Sequence, residues 1–194
     1  MKREDGFMKI VIITGSARPD SNTSRMAASF EGAAYIKALA TGKQINIQKI
    51  DATSLNIGPC HGCDTCFSTG KPCSFDDDFN KIVADLISAD GVIFAAPVYW
   101  WSFPATVKAI IDKCYSLYVG LETKFTGKKV ALLSCCESPD EHTFDAMKFA
   151  FEESMKIMDA EIVGEVLVPN VVAQGDIKST IGIDYSADLV NKFI

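Results

Sequence analysis

A cluster of residues that could carry chemistry lies in the segment PCHGCDTCFSTGKPC. It contains Cys60, Cys63, Cys66 and Cys73, and the first three follow one another at three-residue spacing. Thiolates are soft metal ligands, and such compact spacing favours four thiolates around a [4Fe–4S] cluster. The segment therefore predicts an electron-transfer centre at these four cysteines.

Two other interpretations of this segment stay open. One is a metal-free loop of thiols. The other is a zinc site, which the compact spacing favours less because tetrahedral zinc sites usually draw on two separated cysteine or histidine pairs. His61 directly follows Cys60, which makes joint ligation of one metal awkward, so we expect His61 at the surface. Cys114 falls on an apolar helix face, which predicts core packing.

Hydrophobic patterning places the cysteine segment within an α/β domain. Apolar runs predict β-strands at residues 8–14, 91–97, 128–134 and 161–169, and the alternation of apolar and polar residues predicts one nearer the sheet edge at 45–51. Periodic apolar residues predict helices at about 23–40, 79–87, 104–117 and 138–158, and a short last helix from Tyr185. This alternation implies a doubly wound, five-stranded parallel sheet in the order 2-1-3-4-5, with helices on both faces.

Length and charge limit the domain organisation and the binding partners that we expect. The 194 residues suit one hydrophobic core, so we expect a mobile leader at 1–7 and a single domain over 8–194 that includes a cysteine-rich loop at 58–75. A formal net charge of -6 argues against nucleic acid or an anionic membrane as partner. The sequence shows no apolar run of the roughly 20 residues that span a bilayer, and no secretory signal. These features predict a cytoplasmic protein with reduced thiols.

The loop after the first predicted strand, GSARPDSNTS, is suited to a phosphate. It combines backbone N–H groups at a helix N-terminus with several hydroxyls and the guanidinium of Arg18. The loop matches neither the dinucleotide fingerprint nor the nucleotide-hydrolase loop, which favours a mononucleotide phosphate. The alternative is a polar turn that only caps the helix.

The loop after the third predicted strand, PVYWWSFP, places four aromatic side chains at the carboxyl edge of the sheet. Ligands of open parallel sheets bind at that edge, and a planar heteroaromatic ring could stack there. A patch at a subunit interface is the other interpretation, and the two are compatible.

Taken together, GSARPDSNTS, PVYWWSFPATVKAIIDK and CHGCDTCFSTGKPCSFDDDF resemble the NADPH-dependent FMN reductase family of flavodoxin-like proteins. The four cysteines resemble the iron-sulfur flavoprotein branch of that family. The resemblance covers about residues 8–170, and it implies a flavodoxin-like fold with FMN as cofactor.

The same resemblance implies where FMN would bind. Its phosphate would be held by Ser16, Arg18, Ser21, Asn22, Thr23 and Ser24. Its isoalloxazine ring would lie against Pro97, Val98, Tyr99, Trp100, Trp101 and Ser102. The third loop, Ser134 to Ser138, is not glycine-rich as is usual in the family. Its Cys135 and Cys136 could be either flavin neighbours or packing residues, and Cys135 is the one we assign to the cofactor site. Glu137 in this loop is expected to point to solvent.

The predicted function is an FMN-dependent oxidoreductase of the NAD(P)H:FMN or quinone reductase type. Electrons would come from NAD(P)H or, with a cluster present, from ferredoxin, and would pass to a small-molecule acceptor such as a quinone or a flavin. One alternative is a flavodoxin-like electron carrier fed by ferredoxin, without its own NAD(P)H activity. Another is a cysteine-based metal or redox sensor with a structural flavin. The family resemblance also implies a homodimer or homotetramer.

Overall fold

The computed structural model describes residues 7–69, 72–119 and 125–194. Of the predicted leader, residues 1–6 lie outside these ranges, and Phe7 already belongs to the first strand. Residues 70 and 71 of the predicted cysteine-rich loop also lie outside them.

Within the described ranges, five parallel strands form one sheet in the order β2-β1-β3-β4-β5. The strands are β1 (Phe7–Thr14), β2 (Gln44–Asp51), β3 (Gly91–Ala95), β4 (Lys129–Cys135) and β5 (Glu161–Val168). The predicted fold class and strand order are therefore confirmed.

Helices join the strands and cover both faces of the sheet. In the described chain they are α1 (Asn22–Thr41), α2 (Thr65–Thr69), α3 (Phe79–Ser88), α4 (Ala105–Lys113), α5 (Tyr115–Val119), α6 (Asp145–Ile157), α7 (Gly182–Asp188) and α8 (Val190–Phe193). Among the described residues, no helix combines the length and the apolar character that crossing a bilayer would require.

Four helical regions differ from the sequence prediction. The helix predicted at 138–158 becomes α-helical only at Asp145, after a 3-10 turn at Glu141–Phe144. The short helix α2 interrupts a loop that was expected to be irregular, because five residues are too few to show a helical period. The predicted helix at 104–117 is divided at Cys114, whose N–H is shared between the carbonyls of Ile110 and Ile111 and so tightens the turn. The last helical region begins at Gly182, three residues earlier than predicted.

Alternation along the central strands builds two hydrophobic layers. Val11 and Ile13 of β1 pack on one side with α3, α4 and α6, whereas Ile10 and Ile12 pack on the other with α1 and α8. All four side chains are fully buried, as expected of a parallel sheet that is covered on both faces. The sheet is thus a rigid support for the loops at its carboxyl edge.

Main-chain hydrogen bonds continue past the strand ends at this edge. The N–H of Gly15 donates to the carbonyl of Ala95 at 3.0 Å, and the N–H of Ala96 donates to the carbonyl of Leu133 at 3.0 Å. The loops that leave β1 and β3 therefore start from fixed positions.

Gly15, where β1 turns into the first loop, has no room for a side chain. A Cβ at this position would lie 2.5 Å from Cγ2 of Val107 and 2.9 Å from Cβ of Ala96. We predict that Gly15→Ala lowers the free energy of unfolding in urea by about 1–3 kcal/mol, because the crowded atoms must move apart.

Gly32→Ala is the matched control for this substitution. A Cβ at Gly32 would meet no atom within 4 Å, and alanine is favoured over glycine inside a helix by about 1 kcal/mol. Unfolding curves of Gly15→Ala that coincide with those of the wild type would contradict the tight approach of α4 to the first loop.

Candidate functional site

A cavity of about 390 Å³ opens at the carboxyl edge of the sheet. It is lined by residues that follow β1 and β3, the two strands between which the strand order reverses. Open sheets with this order bind ligands at that point, and the volume lies in the range of small-molecule sites. We call it the edge cavity.

Most of the predicted cofactor residues meet at the edge cavity. Ten of them line it: Ser16, Arg18, Ser21, Asn22, Thr23, Pro97, Val98, Tyr99, Trp100 and Cys135. Three others, Ser24, Trp101 and Ser102, are not part of the lining. The loop at 15–24, called here the phosphate loop after its predicted role, and the loop at 97–104, the aromatic loop, therefore line one cavity.

Five further lining residues were not assigned to the site from the sequence: Cys136, Glu137, Val171, Val172 and Gln174. The last three follow β5. Because the carboxyl end of β5 lies at the same edge as those of its parallel neighbours, the strand-end rule could have identified this segment.

The N-terminus of α1 is organised around Ser21. Its Oγ accepts a hydrogen bond from the N–H of Ser24 at 3.1 Å and lies 2.8 Å from the Ser24 Oγ. The first turn of α1 has no acidic residue, and Asp20 just before it is paired with Arg25. The positive end of the helix dipole is therefore not neutralised from within the helix, which favours an anion at this end.

Arg18 supplies a positive charge to the same side of the edge cavity. Its N–H donates to the Oγ of Ser16 at 3.3 Å, and its side chain is exposed. Among the described lining residues, Arg18 is the one cation. Capping of α1 needs only Ser21, so the alternative of a turn that merely caps the helix leaves the position of Arg18 unexplained.

The side chain of Asn22 is occupied by the segment after β5. Its Nδ2 donates to the carbonyl of Ala173 at 2.9 Å, and its Oδ1 accepts from the N–H of Gly175 at 2.8 Å. Gln174 reinforces the connection by donating to the carbonyl of Pro19 at 2.7 Å. Any phosphate contact from Asn22 would therefore come from its backbone N–H.

The aromatic loop forms a tight two-residue turn. Tyr99 and Ser102 exchange backbone hydrogen bonds of 2.9 and 3.0 Å, and Trp100 and Trp101 between them have φ values of 47° and 60°. Positive φ at both central positions is typical of a type I′ turn, which strongly prefers Asn-Gly. Strain of about 1–3 kcal/mol at each such non-glycine residue is found most often at functional sites.

The turn presents its indole rings to solvent. Trp100 is 89% exposed, and its ring centroid lies 5.8 Å from that of Trp101. Exposed aromatic rings at the wall of a cavity offer flat surfaces on which another ring can stack.

Cys135, the last residue of β4, and Cys136, just after it, form part of the wall of the edge cavity. The N–H of Val98 donates to the carbonyl of Cys135 at 3.1 Å, which joins the third loop to the aromatic one. Burial raises the pKa of Cys135 to about 12, and the nearby Cys136 adds to the shift while Arg18 opposes it. Burial also raises the pKa of Cys136, so both thiols are neutral at pH 7. Glu137 is exposed, as expected.

The four predicted metal ligands surround a second, much smaller cavity of about 30 Å³. Cys60, Cys63, Cys66 and Cys73 all line this cysteine cavity. The first two are exposed and the other two are half-buried. The loop therefore brings all four thiols to one place.

Neighbouring groups give these thiols different acidities. A hydrogen bond from Thr65, whose Oγ1 lies 3.3 Å from the Sγ of Cys63, is the main cause that lowers the pKa of Cys63 to about 7. Burial raises the pKa of Cys66. His61 is exposed, as predicted, and stacks on Phe75 with ring centroids 4.2 Å apart.

The residue types suit an iron-sulfur cluster, because four cysteines line one cavity, but their present spacing does not. Over residues 7–69, 72–119 and 125–194, no three Cys, His, Asp or Glu side chains are close enough to hold a metal ion. A cavity of about 30 Å³ has room for no more than a few water molecules. The loop would therefore have to open and close again around a cluster. Cys114, by contrast, is buried in the core as predicted.

The sheet order and the edge cavity define a flavodoxin-like α/β protein. Residues 8–167 match the family described as NADPH-dependent FMN reductase, and the chain belongs to this family. An iron-sulfur flavoprotein of Methanocaldococcus jannaschii is 31% identical over 117 residues, which are 60% of this chain and 57% of that protein. One of Methanosarcina thermophila is 35% identical over 106 residues, 55% of this chain and 52% of that protein. The predicted family and branch are confirmed, although each match spans little more than half of the relative.

Solved structures resemble the whole fold at low sequence identity. An azoreductase from Bacillus anthracis has a TM-score of 0.72 and 17% identity, and the match covers 96% of this chain and all of that one. An NADH:FMN oxidoreductase in its apo form has a TM-score of 0.61 and 18% identity, with 93% of this chain and 88% of that one covered. At such identities the likeness supports the fold alone.

Two double variants test whether the turn at Trp100 and Trp101 is strained. Replacing Trp100 and Trp101 by Asn and Gly relieves the strain, whereas replacing both by Ala removes the same rings but keeps a Cβ at positive φ. We predict that the Asn-Gly variant exceeds the Ala-Ala variant in free energy of unfolding by about 1–3 kcal/mol in urea. Equal stabilities would mean that the turn is not strained.

Proposed function

We propose that this chain is an FMN-dependent oxidoreductase that takes electrons from NAD(P)H and passes them to a small-molecule acceptor such as a quinone or a flavin. The observation that carries the proposal is the convergence of the phosphate loop and the aromatic turn on the edge cavity. FMN has the two parts that these loops suit, a dianionic phosphate and a planar heteroaromatic ring. Membership of the FMN reductase family supports the same cofactor.

The phosphate would be bound where positive charge and hydroxyl donors are close together. Arg18 offers a planar guanidinium, Ser16 and Thr23 offer hydroxyls, and the start of α1 offers backbone N–H groups. Ser24 would act on the phosphate only through Ser21, since the hydroxyls of these two residues are hydrogen-bonded to each other. These donors would give the site its preference for a phosphorylated flavin.

The ring would be placed by the second and third loops. Pro97 and Val98 offer apolar contact, Tyr99 and Trp100 offer aromatic faces, and the neutral thiol of Cys135 adds no charge near the ring. When bound, FMN supplies the hydride and single-electron chemistry. The exposed position of Trp100 leaves room for a nicotinamide or a second planar molecule to approach.

A second candidate function is an electron carrier fed by ferredoxin, in which a cluster passes electrons to FMN. The observation that favours it is the cysteine cavity, together with the iron-sulfur flavoproteins among the relatives. A [4Fe–4S] cluster at Cys60, Cys63, Cys66 and Cys73 belongs to this proposal. The expected homodimer or homotetramer stays a prediction.

Kinetics with two kinds of donor separate the two candidates. We predict that chain purified without oxygen and loaded with FMN oxidises NADH or NADPH steadily when a quinone or free flavin is added. Reduction by ferredoxin, with no oxidation of either nicotinamide, would contradict the first proposal and favour the carrier.

Arg18 provides a selective test of the phosphate site. We predict that Arg18→Gln weakens FMN binding by about 1.5–3 kcal/mol, or roughly 10-fold to 150-fold in Kd, because it removes charged hydrogen bonds to the phosphate. Riboflavin, which has no phosphate, should bind the variant and the wild type equally. Isothermal titration calorimetry measures both affinities.

Lys156→Gln is the control for overall charge. Lys156 lies on α6, away from the edge cavity, and pairs with Glu153 at the surface. Loss of FMN affinity in this variant equal to that in Arg18→Gln would show a general charge effect. A parallel loss of riboflavin affinity in Arg18→Gln would argue against a phosphate contact.

A further inference from the structure

Lys113, at the end of α4, is a buried cation at the wall of the cysteine cavity. Only 3% of the residue is exposed, and it lines the cavity together with the four cysteines of the loop. Lysine is almost never buried to this extent unless it is paired. The groups around Lys113 must therefore compensate its positive charge.

Asp77 is the ion-pair partner of Lys113. The Nζ of Lys113 also lies 5.9 Å from the centroid of the Phe79 ring, within the range of a cation–π contact. Burial would raise the pKa of Asp77, but hydrogen bonds from Lys113, Gly58 and Phe79 outweigh it and lower the pKa below its ordinary value. Asp77 is therefore a carboxylate at pH 7.

Asp77 also fastens the two ends of the cysteine loop. Its carboxylate accepts from the N–H of Gly58 at 3.1 Å, just before the first cysteine, and from the N–H of Phe79 at 3.1 Å, after the last one. Lys113 is held against the cavity by this anchored carboxylate. Lys113 lines the cavity and Asp77 does not, so the positive end of the pair is the end at the cavity wall.

Cysteines bind metals as thiolates, so metal uptake would bring several negative charges to the cysteine cavity. Two negative charges also lie near: Asp77, which is already paired, and Asp64, which lines the cavity and is exposed. A cation in a poorly solvated wall acts on such charges far more strongly than an exposed one. Among the described residues that line the cavity, Lys113 is the one lysine or arginine.

We infer that Lys113 is the counter-charge of a thiolate-ligated iron centre in the cysteine loop, and that Asp77 is the positioning residue for Lys113. The inference rests on the iron-sulfur part of the proposed function. It makes no demand on the flavin, because Lys113 is not among the residues that line the edge cavity.

The test compares the wild type, Asp77→Asn and the double variant Lys113→Met/Asp77→Asn. Lys113→Met alone would leave Asp77 buried and unpaired, which is strongly destabilising, whereas the double variant removes both charges. Each protein is loaded without oxygen with iron, sulfide and FMN. Iron per chain, FMN per chain and the midpoint potential of the iron centre are then measured, with circular dichroism as the check on folding.

We expect the double variant to retain iron roughly 10-fold less tightly against a chelator, as is typical when groups around a metal's ligands are removed. Its midpoint potential should lie below that of Asp77→Asn, because these two variants differ only in the charge of Lys113, and the loss of a nearby positive charge disfavours the reduced centre. FMN per chain should not change. Asp77→Asn, which keeps the cation, should retain iron better than the double variant.

Two results would overturn the inference, and they can be told apart. Equal iron retention and equal midpoint potential in Asp77→Asn and the double variant, which differ only at Lys113, would overturn it alone. Failure of the wild type to take up iron would overturn it together with the cluster part of the proposed function. FMN retained in that case would leave the oxidoreductase proposal intact.

Discussion

Main-chain hydrogen bonds that run from loop to loop along the carboxyl edge of the sheet determine the shape of the candidate site. Gly15, Ala96, Val98 and Cys136 each donate their N–H to a carbonyl of the adjacent strand. Because donors and acceptors are backbone groups, these bonds do not depend on particular side chains, provided that the side chains fit, as the lack of room at Gly15 shows. The edge cavity follows from this arrangement, and the side chains that line it decide what it can bind.

The edge cavity and the cysteine cavity differ in the environment of their positive charges. Arg18 is exposed, so water weakens its long-range field and leaves directed hydrogen bonds as its main contribution. Lys113 is buried, where a charge acts strongly but must be compensated, here by Asp77. The first arrangement suits a ligand that enters and leaves, and the second suits a permanent group.

The sequence could predict those features that depend on local pattern. Strands such as β1 and β3 are largely apolar runs that have few alternatives in an α/β chain, and parallel pairing then brings the loops after them together. The phosphate and aromatic loops were therefore found correctly at one edge. The segment after β5 was missed because it has no motif, and only its position at a strand end marks it.

Features that depend on distant contacts could not be read from one sequence. The positive φ values of Trp100 and Trp101 contradict the local preference for Asn-Gly, so the surrounding fold must impose them. Lys113 would be taken for a solvent-facing residue, since its partner Asp77 lies 36 positions away in the chain. Both are cases in which tertiary structure overrides local propensity, and both lie at candidate sites.

Titration of the purified chain with FMN, without oxygen, tests most directly whether the edge cavity binds a flavin. The flavin fluorescence should be quenched in a saturable manner, with one FMN bound per chain, and the melting temperature should rise because the ligand binds the folded state. Fluorescence that stays unquenched with FMN in excess, and a melting temperature that does not move, would contradict the assignment of this cavity and the redox function built on it.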